Sequence, residues 1–307
     1  MDLRCAFLNC ENLFPAPNQW GRGTSSPTVL QRKIDLLADT VKQLFGKQPP
    51  HVFGLCEVGD KVLGQRLADQ ISPGKYTPVW AWPSAASIGQ TGLVLFYDAR
   101  VLSRTQTAEN SFGWLRPMWL AAEFQFLGGS KGVFWAVVNH WSSDYKTDPL
   151  MANGFREDTA TALADYYHQT MKKTSEAVLC IGDFNCEPGD RPFRGLIPKK
   201  PNVLRSLRER QQVLNATKLP VFYCPMWRPM VEPDSWEKAK IPGYTPPRSL
   251  GTYLSGATGW KMWDQCLVSP RLLRGGPAVL LEESLEFAEP IKQCSDHHAI
   301  GFVLECK

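Results

Sequence analysis

Apolar residues occur along this chain with two different spacings. From residue 28 to residue 45 they follow the spacing of one helical face, as Leu30, Ile34 and Leu37 illustrate. Shorter runs of apolar and β-branched residues, several alternating with polar ones, are typical of strands. The helices that these patterns predict are 28–45, 61–71 and 154–171. The predicted strands are 3–8, 52–56, 76–82, 92–97, 118–126, 133–139, 177–181, 261–269 and 299–305.

Strands outnumber helices in this prediction, and the alternating segments favour antiparallel pairing. Sheets with one apolar face bury that face well against a second sheet, with helices on the outside. The predicted fold class is therefore α/β (α+β), a four-layer sandwich in which two mostly antiparallel β-sheets pack face to face with helices outside. We expect one domain over residues 1–307, with an elaborated loop region rich in Pro and Trp at about 198–260.

The composition is that of a folded, non-secreted protein. Apolar residues make up 43% of the 307 residues, which is enough for a large core. The net charge of +4 is compatible with a polyanionic partner but does not indicate one. Nine cysteines without a C-x-x-C motif favour buried free thiols over disulfides or a zinc site. No secretory signal and no transmembrane run is evident, so we expect a cytoplasmic protein with no membrane partner.

Polar residues suited to catalysis lie where predicted strands end. Asn and Asp also end strands in ordinary turns, so each position alone has a purely structural explanation. Turns do not readily explain five such ends that all carry metal ligands or acid–base groups, and strands can converge on one cleft. These residues are Asn9, Glu57, Asn139 with His140, Asp183 with Asn185, and Asp296 with His297.

The same residues fall within motifs that run from the first predicted strand to the last. In this order the sequence resembles the endonuclease/exonuclease/phosphatase superfamily, which includes deoxyribonucleases, abasic endonucleases, inositol polyphosphate 5-phosphatases and neutral sphingomyelinases. The GDFN and SDH motifs are the more specific ones, and the resemblance covers nearly the whole chain. The motifs are LNCENLF at 8–14, GLCE at 54–57, VNHW at 138–141, IGDFN at 181–185, WDQCLVS at 263–269 and SDHHAI at 295–300.

The resemblance implies a metal-dependent phosphodiesterase, in the first place a nuclease. It implies that Glu57 binds Mg²⁺ or Mn²⁺, with Asn9 and Asp296 nearby and Glu11 just behind them. Carboxylate and amide oxygens suit these cations, which retain several waters and bridge to phosphate. The implied cofactor is therefore Mg²⁺ or Mn²⁺.

The resemblance also implies the catalytic groups. His297 would act as the general base or contact the phosphate, and Asp264 would orient its ring. Asp183 and Asn185 would position the attacking water and the scissile phosphate, and His140 would donate to a non-bridging oxygen. Hydrolysis would then proceed by in-line attack of water without a covalent intermediate.

One stretch departs from the secreted deoxyribonucleases of the superfamily. Those enzymes carry a Glu upstream of the fourth strand that orients the first histidine, whereas residues 87–92 contain no acid. His140 is therefore expected to be less basic, and His297 is expected to carry more of the catalysis. His298 is interpreted as a structural residue that enters the last strand.

The substrate is predicted from features outside the motifs. Trp260 and Trp263 lie just before or beside Asp264, where an aromatic ring could stack on a base. Arg205 and Arg208 could follow a phosphate backbone. These features favour nucleic acid, with DNA ahead of RNA. The alternatives are a lipid, inositol phosphate or nucleotide substrate, and a catalytically inactive binding module.

Overall fold

The computed structural model of the chain describes residues 2–15, 26–83, 91–111, 116–128, 132–143, 148–194, 204–216, 220–227, 251–255 and 259–307. Much of the predicted loop region at 198–260 lies outside these residues. The helices are α1 Pro27–Lys42, α2 Lys61–Ile71, α3 Pro149–Tyr166, α4 Lys172–Thr174, α5 Arg191–Arg194 and α6 Arg210–Asn215. The strands are β1 Asp2–Leu13, β2 Val52–Val58, β3 Tyr76–Ala81, β4 Gly92–Asp98, β5 Leu102–Ser111, β6 Pro117–Phe126, β7 Val133–His140, β8 Val178–Asp183, β9 Arg205–Leu207, β10 Val221–Tyr223, β11 Tyr253–Ser255, β12 Gly259–Lys261, β13 Asp264–Val268, β14 Ala278–Ala288 and β15 Ala299–Cys306.

Two large mixed sheets form the centre of the fold. The first has the strand order β14-β15-β1-β2-β4-β3, and the second has the order β5-β6-β7-β8-β13-β10-β9. Neighbours are parallel in the pairs β1–β2, β7–β8 and β9–β10, and the other pairs within the two large sheets are antiparallel. Two mostly antiparallel sheets with helices outside confirm the predicted fold class.

The sheets pack closely because one face of each strand is apolar. Gly54 in β2 faces Val138 of β7 and Ile181 of β8, and a Cβ atom at Gly54 would lie 2.6 Å from a methyl group of Val138. The absence of a side chain at this position therefore sets the separation of the layers. Helices α1 and α2 cover the outer face of the first sheet, and α3 covers the second, where Tyr166 packs 5.2 Å from Trp119.

Helix starts follow the local capping chemistry. The Asp60 carboxylate accepts a hydrogen bond of 2.6 Å from the backbone N–H of Val62, and α2 begins and ends as predicted. Helix α3 begins at Pro149, five residues before the predicted start, because Asp148 caps it and accepts from the Leu150 N–H. A π-helical turn, Tyr167–Met171, joins α3 to α4.

The prediction of one continuous strand over 261–269 is wrong. The chain leaves the sheet at Met262 and Trp263, because the Met262 N–H donates to the Glu187 carboxylate and the Trp263 carbonyl accepts from Phe184. The resulting break separates β12 from β13 and places Asp264 at the very start of β13. This interruption matters for the site, since it turns the Trp263 ring towards the cleft.

All nine cysteines are free and buried, as predicted. Burial raises the pKa of Cys180 and Cys266 well above the ordinary value for a thiol, so these groups are inert. Within the described part of the chain, no helix has the length and apolar content needed to cross a membrane.

Candidate active site

The predicted site residues meet at one end of the sandwich because of the strand directions. Parallel neighbours β1 and β2 end together, as do β7 and β8, and the antiparallel strand β13 begins at the same level. The register pairs His140 with Asp183, and Asp183 with Asp264. Asn9 and Glu57 face them from the other sheet, as the hydrogen bond from Asn9 to Asp183 shows. Strand ends that are distant in sequence therefore form one cluster.

A cleft of about 480 Å³ opens at this end of the molecule. Glu57, Asp183 and His297 are among the residues that line it, and Asp183 and His297 are almost fully buried. Val29 and Lys33 of α1 line the cleft as well. The cleft therefore combines buried acid–base groups with partly exposed surroundings.

Asn9 connects the two sheets at the base of the cleft. Its Nδ2 donates to Asp183 Oδ2 at 3.0 Å and to Glu57 Oε1 at 3.3 Å, and it lies 3.3 Å from His297 Nε2. Its Oδ1 accepts from the Glu11 N–H at 2.9 Å. The side chain is fully buried, so it fixes the carboxylates of β2 and β8 relative to each other.

His297 is held by a buried carboxylate. Its Nδ1 lies 2.7 Å from Asp264 Oδ2, and its Nε2 lies 3.9 Å from Asp183 Oδ2 and 3.6 Å from Asp296 Oδ1. Burial by itself lowers the pKa of His297, but the Asp264 carboxylate and its hydrogen bond outweigh burial and raise it to about 10. His297 is therefore a cation at neutral pH in the metal-free protein.

His140 has the opposite environment. Its Nε2 lies 3.5 Å from Glu57 Oε1 and 3.9 Å from Asp183 Oδ2. Its buried Nδ1 has no hydrogen-bond partner among the residues that the structure describes. Burial, followed by the positive charges of Arg116 and His297, lowers the pKa of His140 well below its ordinary value. The lower basicity expected from the acid-free segment 87–92 agrees with this, although most of that segment lies outside the described residues.

Asp183 lies between the two histidines and 3.9 Å from the Nε2 of each. Burial raises its pKa to about 7, although the nearby His297 cation opposes this effect. The backbone N–H of Asn185 donates to Asp183 Oδ1 at 2.8 Å, and the Asn185 side-chain amide donates to the Trp141 carbonyl. Asp183 can therefore exchange a proton near neutral pH, and Asn185 fixes its orientation.

Backbone strain is concentrated at this site. Glu11, Asn12, Glu57 and Asn185 have positive φ angles of 44°, 59°, 58° and 50°. Residues other than glycine rarely adopt this conformation, which costs of order 1–3 kcal/mol each and is often found at functional sites. In this conformation the backbone N–H of Asn12 donates a hydrogen bond of 2.9 Å to the Glu57 carboxylate. The strain thus accompanies the placement of two carboxylates at the cleft.

Gly182 permits the close approach that the GDFN motif requires. Its φ is 151°, and a Cβ atom there would lie 2.2 Å from the Asn139 carbonyl oxygen. Any side chain would push β8 away from β7 and would disturb the pairing of Asp183 with His140. The glycine therefore belongs to the architecture of the site although it has no side chain.

The sequence profile of the endonuclease/exonuclease/phosphatase family matches residues 29–297. The chain belongs to this family. Its members are hydrolases that act on phosphoester bonds, and they include nucleases, phosphodiesterases and phosphatases. No curated protein matches the sequence of this chain.

Solved structures of the endonuclease/exonuclease/phosphatase family share the fold at low sequence identity. A family protein from Bacteroides vulgatus is 14% identical with a TM-score of 0.59, and all of both chains is covered. Truncated Caenorhabditis elegans TDP2 is 15% identical with a TM-score of 0.56, and the match covers 100% of this chain and 98% of the TDP2 chain. The human Nocturnin catalytic domain, solved with a sulfate anion, is 14% identical with a TM-score of 0.57, and the match covers 100% of this chain and 95% of the Nocturnin chain.

The donor set of this family member fits a divalent cation. The pKa of Glu11 is raised by burial and by the neighbouring Asp296 carboxylate. The pKa of Asp296 is likewise raised by burial and by the Glu57 carboxylate. Both shifts show that carboxylates are crowded at the cleft. A bound cation would relieve this repulsion. Donor atoms of Asp183, Asp264 and His297 also lie within 4.8 Å of one another. The 2.7 Å contact between His297 and Asp264 already occupies two of those atoms, so Glu57, Glu11 and Asp296 fit a hard cation better.

An aromatic wall borders His297. The rings of Tyr253 and Trp263 are stacked with centroids 4.3 Å apart, and the Tyr253 ring lies 4.7 Å from the His297 ring. The backbones of Tyr253 and His297 also form an isolated antiparallel β-bridge. Trp263 therefore lies at the cleft as predicted. Trp260 belongs to β12, and its side chain lies outside the described residues.

The structure does not bring Arg205 and Arg208 to the cleft. Strand β10 pairs with β13 through Tyr223 and Val268, at the end of β13 opposite to Asp264, and β9 lies beside β10. Arg205 is therefore at the far end of the second sheet. Arg208 follows β9 and forms an ion pair of 3.0 Å with Glu209.

Sequence reasoning missed three residues of the site. Arg116 donates to the His140 and Trp141 carbonyls at 2.5 and 2.7 Å, and Lys33 donates to the Glu11 carbonyl at 2.5 Å. Arg116 precedes a predicted strand, so a search of strand starts as well as strand ends could have found it. Tyr253 lies in a segment without periodicity, and no sequence signal indicated it.

Proposed function

We propose that this family member hydrolyses phosphodiester bonds by cation-dependent in-line attack of water and that its substrate is nucleic acid, with DNA ahead of RNA. The observation that carries the proposal is the line of groups from Asp264 through His297 to Asp183, with contacts of 2.7 and 3.9 Å. This line places a carboxylate that titrates near neutrality beside an imidazolium in a cleft of limited size.

The two groups divide the proton chemistry between them. Asp183, with a pKa of about 7, accepts the proton of the attacking water as its oxygen bonds to phosphorus. The ester P–O bond opposite to the attacking water breaks at the same time, and the leaving alkoxide takes up a proton from solvent. His297, held as a cation by Asp264, donates from Nε2 to a non-bridging phosphate oxygen as negative charge develops there. Of its two predicted roles, the phosphate contact therefore fits His297 better than the general base. Neutral His140 donates a hydrogen bond to the same phosphate without adding charge.

The carboxylates on the other side of the cleft complete the site. Glu57, Asp296 and Glu11 would hold Mg²⁺ or Mn²⁺, with Asn9 fixing the position of Glu57. When bound, the cation supplies positive charge next to the scissile phosphate. Asn12 keeps Glu57 directed at the cleft through its backbone N–H.

The aromatic wall supports nucleic acid as the substrate. Tyr253 and Trp263 stack on each other beside His297, and Trp263 is partly exposed in the cleft. An exposed aromatic face can stack on a base next to the scissile phosphate, which is worth roughly 1–3 kcal/mol per base. The base would stack beside the bond that is cleaved.

A second candidate is a phosphodiester with an apolar part, such as a lipid. Four large apolar residues are exposed in the first turns of helices that follow strands ending at the site: Val29 at 54%, Val62 at 65%, Leu150 at 80% and Met151 at 59%. Exposed apolar residues mark an interaction surface where they form a contiguous patch. They take no part in the stacking of a base on Trp263 or in the contacts to the scissile phosphate.

A substrate panel tests both candidates. Wild type and Asp183→Ala would be incubated with supercoiled plasmid, linear duplex, single-stranded DNA, RNA, mixed phospholipid vesicles and bis-p-nitrophenyl phosphate, in Mg²⁺, Mn²⁺ or EDTA. We expect wild type to cleave DNA and bis-p-nitrophenyl phosphate. This cleavage should require Mg²⁺ or Mn²⁺ and should be lost in Asp183→Ala. Cleavage of lipid alone would replace nucleic acid with the second candidate. Inactivity of wild type on every substrate would contradict the proposed chemistry.

A further inference from the structure

A second groove lies at the end of the molecule opposite to the catalytic cleft. Strand β7 runs from Val133, which lines this groove, to His140, which pairs with the cleft residue Asp183, so the two sites are roughly 20 Å apart at about 3.3 Å per residue. The groove has a compartment of about 710 Å³ and an adjoining one of about 330 Å³. Lys172, Glu176 and Arg271 line both compartments, so the two lie side by side.

The larger compartment is basic. Lys172 and Arg271 line it, and Arg274 lines the adjoining compartment. Glu176 is the acidic side chain among the lining residues, and it already pairs with Lys172 at 3.8 Å. Arg271 and Arg274 form no ion pair with any carboxylate in the described ranges. The compartment therefore has an excess of positive charge without partners.

The two arginines are held side by side by the local backbone. They lie three residues apart on a turn that begins with the 3₁₀ segment Pro270–Leu272 and is closed by the Arg274 N–H and the Pro270 carbonyl. Side chains three residues apart in such a turn lie on the same side of it, and like charges so placed repel each other. A Cβ atom at Gly275, whose φ is 71°, would lie 3.5 Å from the Arg271 guanidinium. Glycine keeps the surface beside that guanidinium open.

The smaller compartment adds apolar surface next to this charge. Tyr167, Leu214, Ala216 and Pro270 line it. Tyr167 begins the π-helical turn Tyr167–Met171, which directly precedes Lys172. Such turns are rare and occur frequently at functional sites. Here the turn places Tyr167 at the smaller compartment and Lys172 at both compartments.

We infer that this groove is a binding site for a small organic polyphosphate, such as a nucleoside triphosphate. Its phosphates would contact Arg271, Arg274 and Lys172, and its uncharged part would contact Leu214 and Tyr167. Two adjacent guanidinium groups match vicinal phosphate oxygens, and an apolar compartment beside them distinguishes an organic phosphate from an inorganic one. The site is separate from the catalytic cleft, so it does not depend on the proposed function.

Calorimetric titration with ATP, tripolyphosphate and adenosine in EDTA tests this assignment. The proteins would be wild type, Arg271→Ala/Arg274→Ala, Leu214→Ser, and the control Arg32→Ala/Arg104→Ala, which removes two exposed arginines outside the groove. We expect saturable ATP binding that weakens at least roughly ten-fold in the groove pair and is unchanged in the control. Leu214→Ser should weaken ATP but leave tripolyphosphate unchanged.

Three results would overturn the inference. They are the absence of saturable ATP binding to wild type, equal weakening in the groove and control pairs, and tripolyphosphate binding as tight as that of ATP. Thermal unfolding of each variant separates loss of binding from loss of the fold, and exposed arginines should leave the melting temperature unchanged. The same titration on Asp183→Asn should give the wild-type affinity, because the cleft is not involved.

Discussion

The two histidines of the cleft have the same exposure and opposite electrostatics. The side chains of His140 and His297 are each 6% exposed, and the Nε2 of each lies 3.9 Å from Asp183 Oδ2. The charged residue next to each imidazole ring differs. Asp264 lies behind His297 and raises its pKa, whereas burial and Arg116 lower the pKa of His140. The partner behind an imidazole therefore decides its charge more than burial does.

This difference assigns separate tasks to the two sides of the cleft. The side formed by His297, Asp264 and Asp296 provides a fixed positive charge next to carboxylates. The side formed by His140 and Arg116 keeps a neutral imidazole against Glu57. Asp183 is shared by both sides, so it is the residue whose loss should affect the site most.

Removal of the shared carboxylate should have the largest effect. Asp183→Ala eliminates the proposed proton acceptor and the contact with both histidines, and we expect kcat to fall by roughly 10³-fold or more. Steady-state hydrolysis of bis-p-nitrophenyl phosphate measures this. Asp39→Ala, which changes an exposed aspartate on α1, is the matched control and should retain wild-type activity. Retention of more than a tenth of the activity in Asp183→Ala would contradict the assignment.

Loss of the Asp264 carboxylate, which contacts His297, should reduce the difference in pKa between the two histidines. Asp264→Asn withdraws the negative charge that raises the pKa of His297, so the pKa should fall and the cation should be lost at lower pH. We expect kcat to drop by about 10²-fold and its alkaline limb to move to lower pH. The pH dependence of kcat measures both effects.

The companion variant for this prediction is His140→Gln. A neutral amide can replace a neutral donor, so we expect a smaller loss than in His297→Gln, of about ten-fold. A loss in His140→Gln that exceeds the loss in His297→Gln would reverse the proposed division of tasks.

Replacement of Arg116 should affect stability more than chemistry. Arg116→Met removes two donors from the carbonyls of His140 and Trp141, and we expect a destabilisation of about 1–3 kcal/mol. It also removes a positive charge near His140, so the pKa of His140 should rise. Urea unfolding measures the stability, with Arg104→Met on β5 as the exposed control. Equal stability of the two variants would show that Arg116 does not support the site.

The aromatic wall should give the smallest effect. Trp263→Ala removes the stacking surface beside His297 but leaves Tyr253 in place, and we expect KM for DNA to rise about five- to ten-fold with little change in kcat. KM for bis-p-nitrophenyl phosphate should change less. Arg208→Ala should change KM by less than about two-fold, because Arg208 does not line the cleft. An equal rise in both variants would remove the distinction between them.

The fold followed from the sequence wherever one periodicity was dominant. Helix α2 was predicted at its true bounds because Asp60 caps it and its apolar residues keep one face. Strands β5 and β14 were missed for different reasons. Strand β5 is an edge strand of mostly polar residues, whereas β14 contains Leu and Glu in a pattern that resembles a helix. Pairing with β6 and β15 overrides these local preferences.

The site followed from the sequence where a motif supplied the position, and less well elsewhere. Asn9, Glu57, Asp183 and His297 meet at one strand edge, as the motifs predicted. Single-sequence composition misplaced the basic cluster, since a local run of arginines does not indicate which end of a sheet it occupies. The contact of Tyr253 with His297 joins segments 44 residues apart and depends on tertiary structure alone.

Nuclear magnetic resonance titration of the imidazole nitrogens in the metal-free protein tests the central claim most directly. Only five histidines are present, so the signals of His140 and His297 can be assigned with two single variants. We predict that His297 remains doubly protonated at pH 8, because its pKa is near 10, and that His140 is already neutral at pH 6. A neutral His297 at pH 8 together with a cationic His140 at pH 6 would contradict the account.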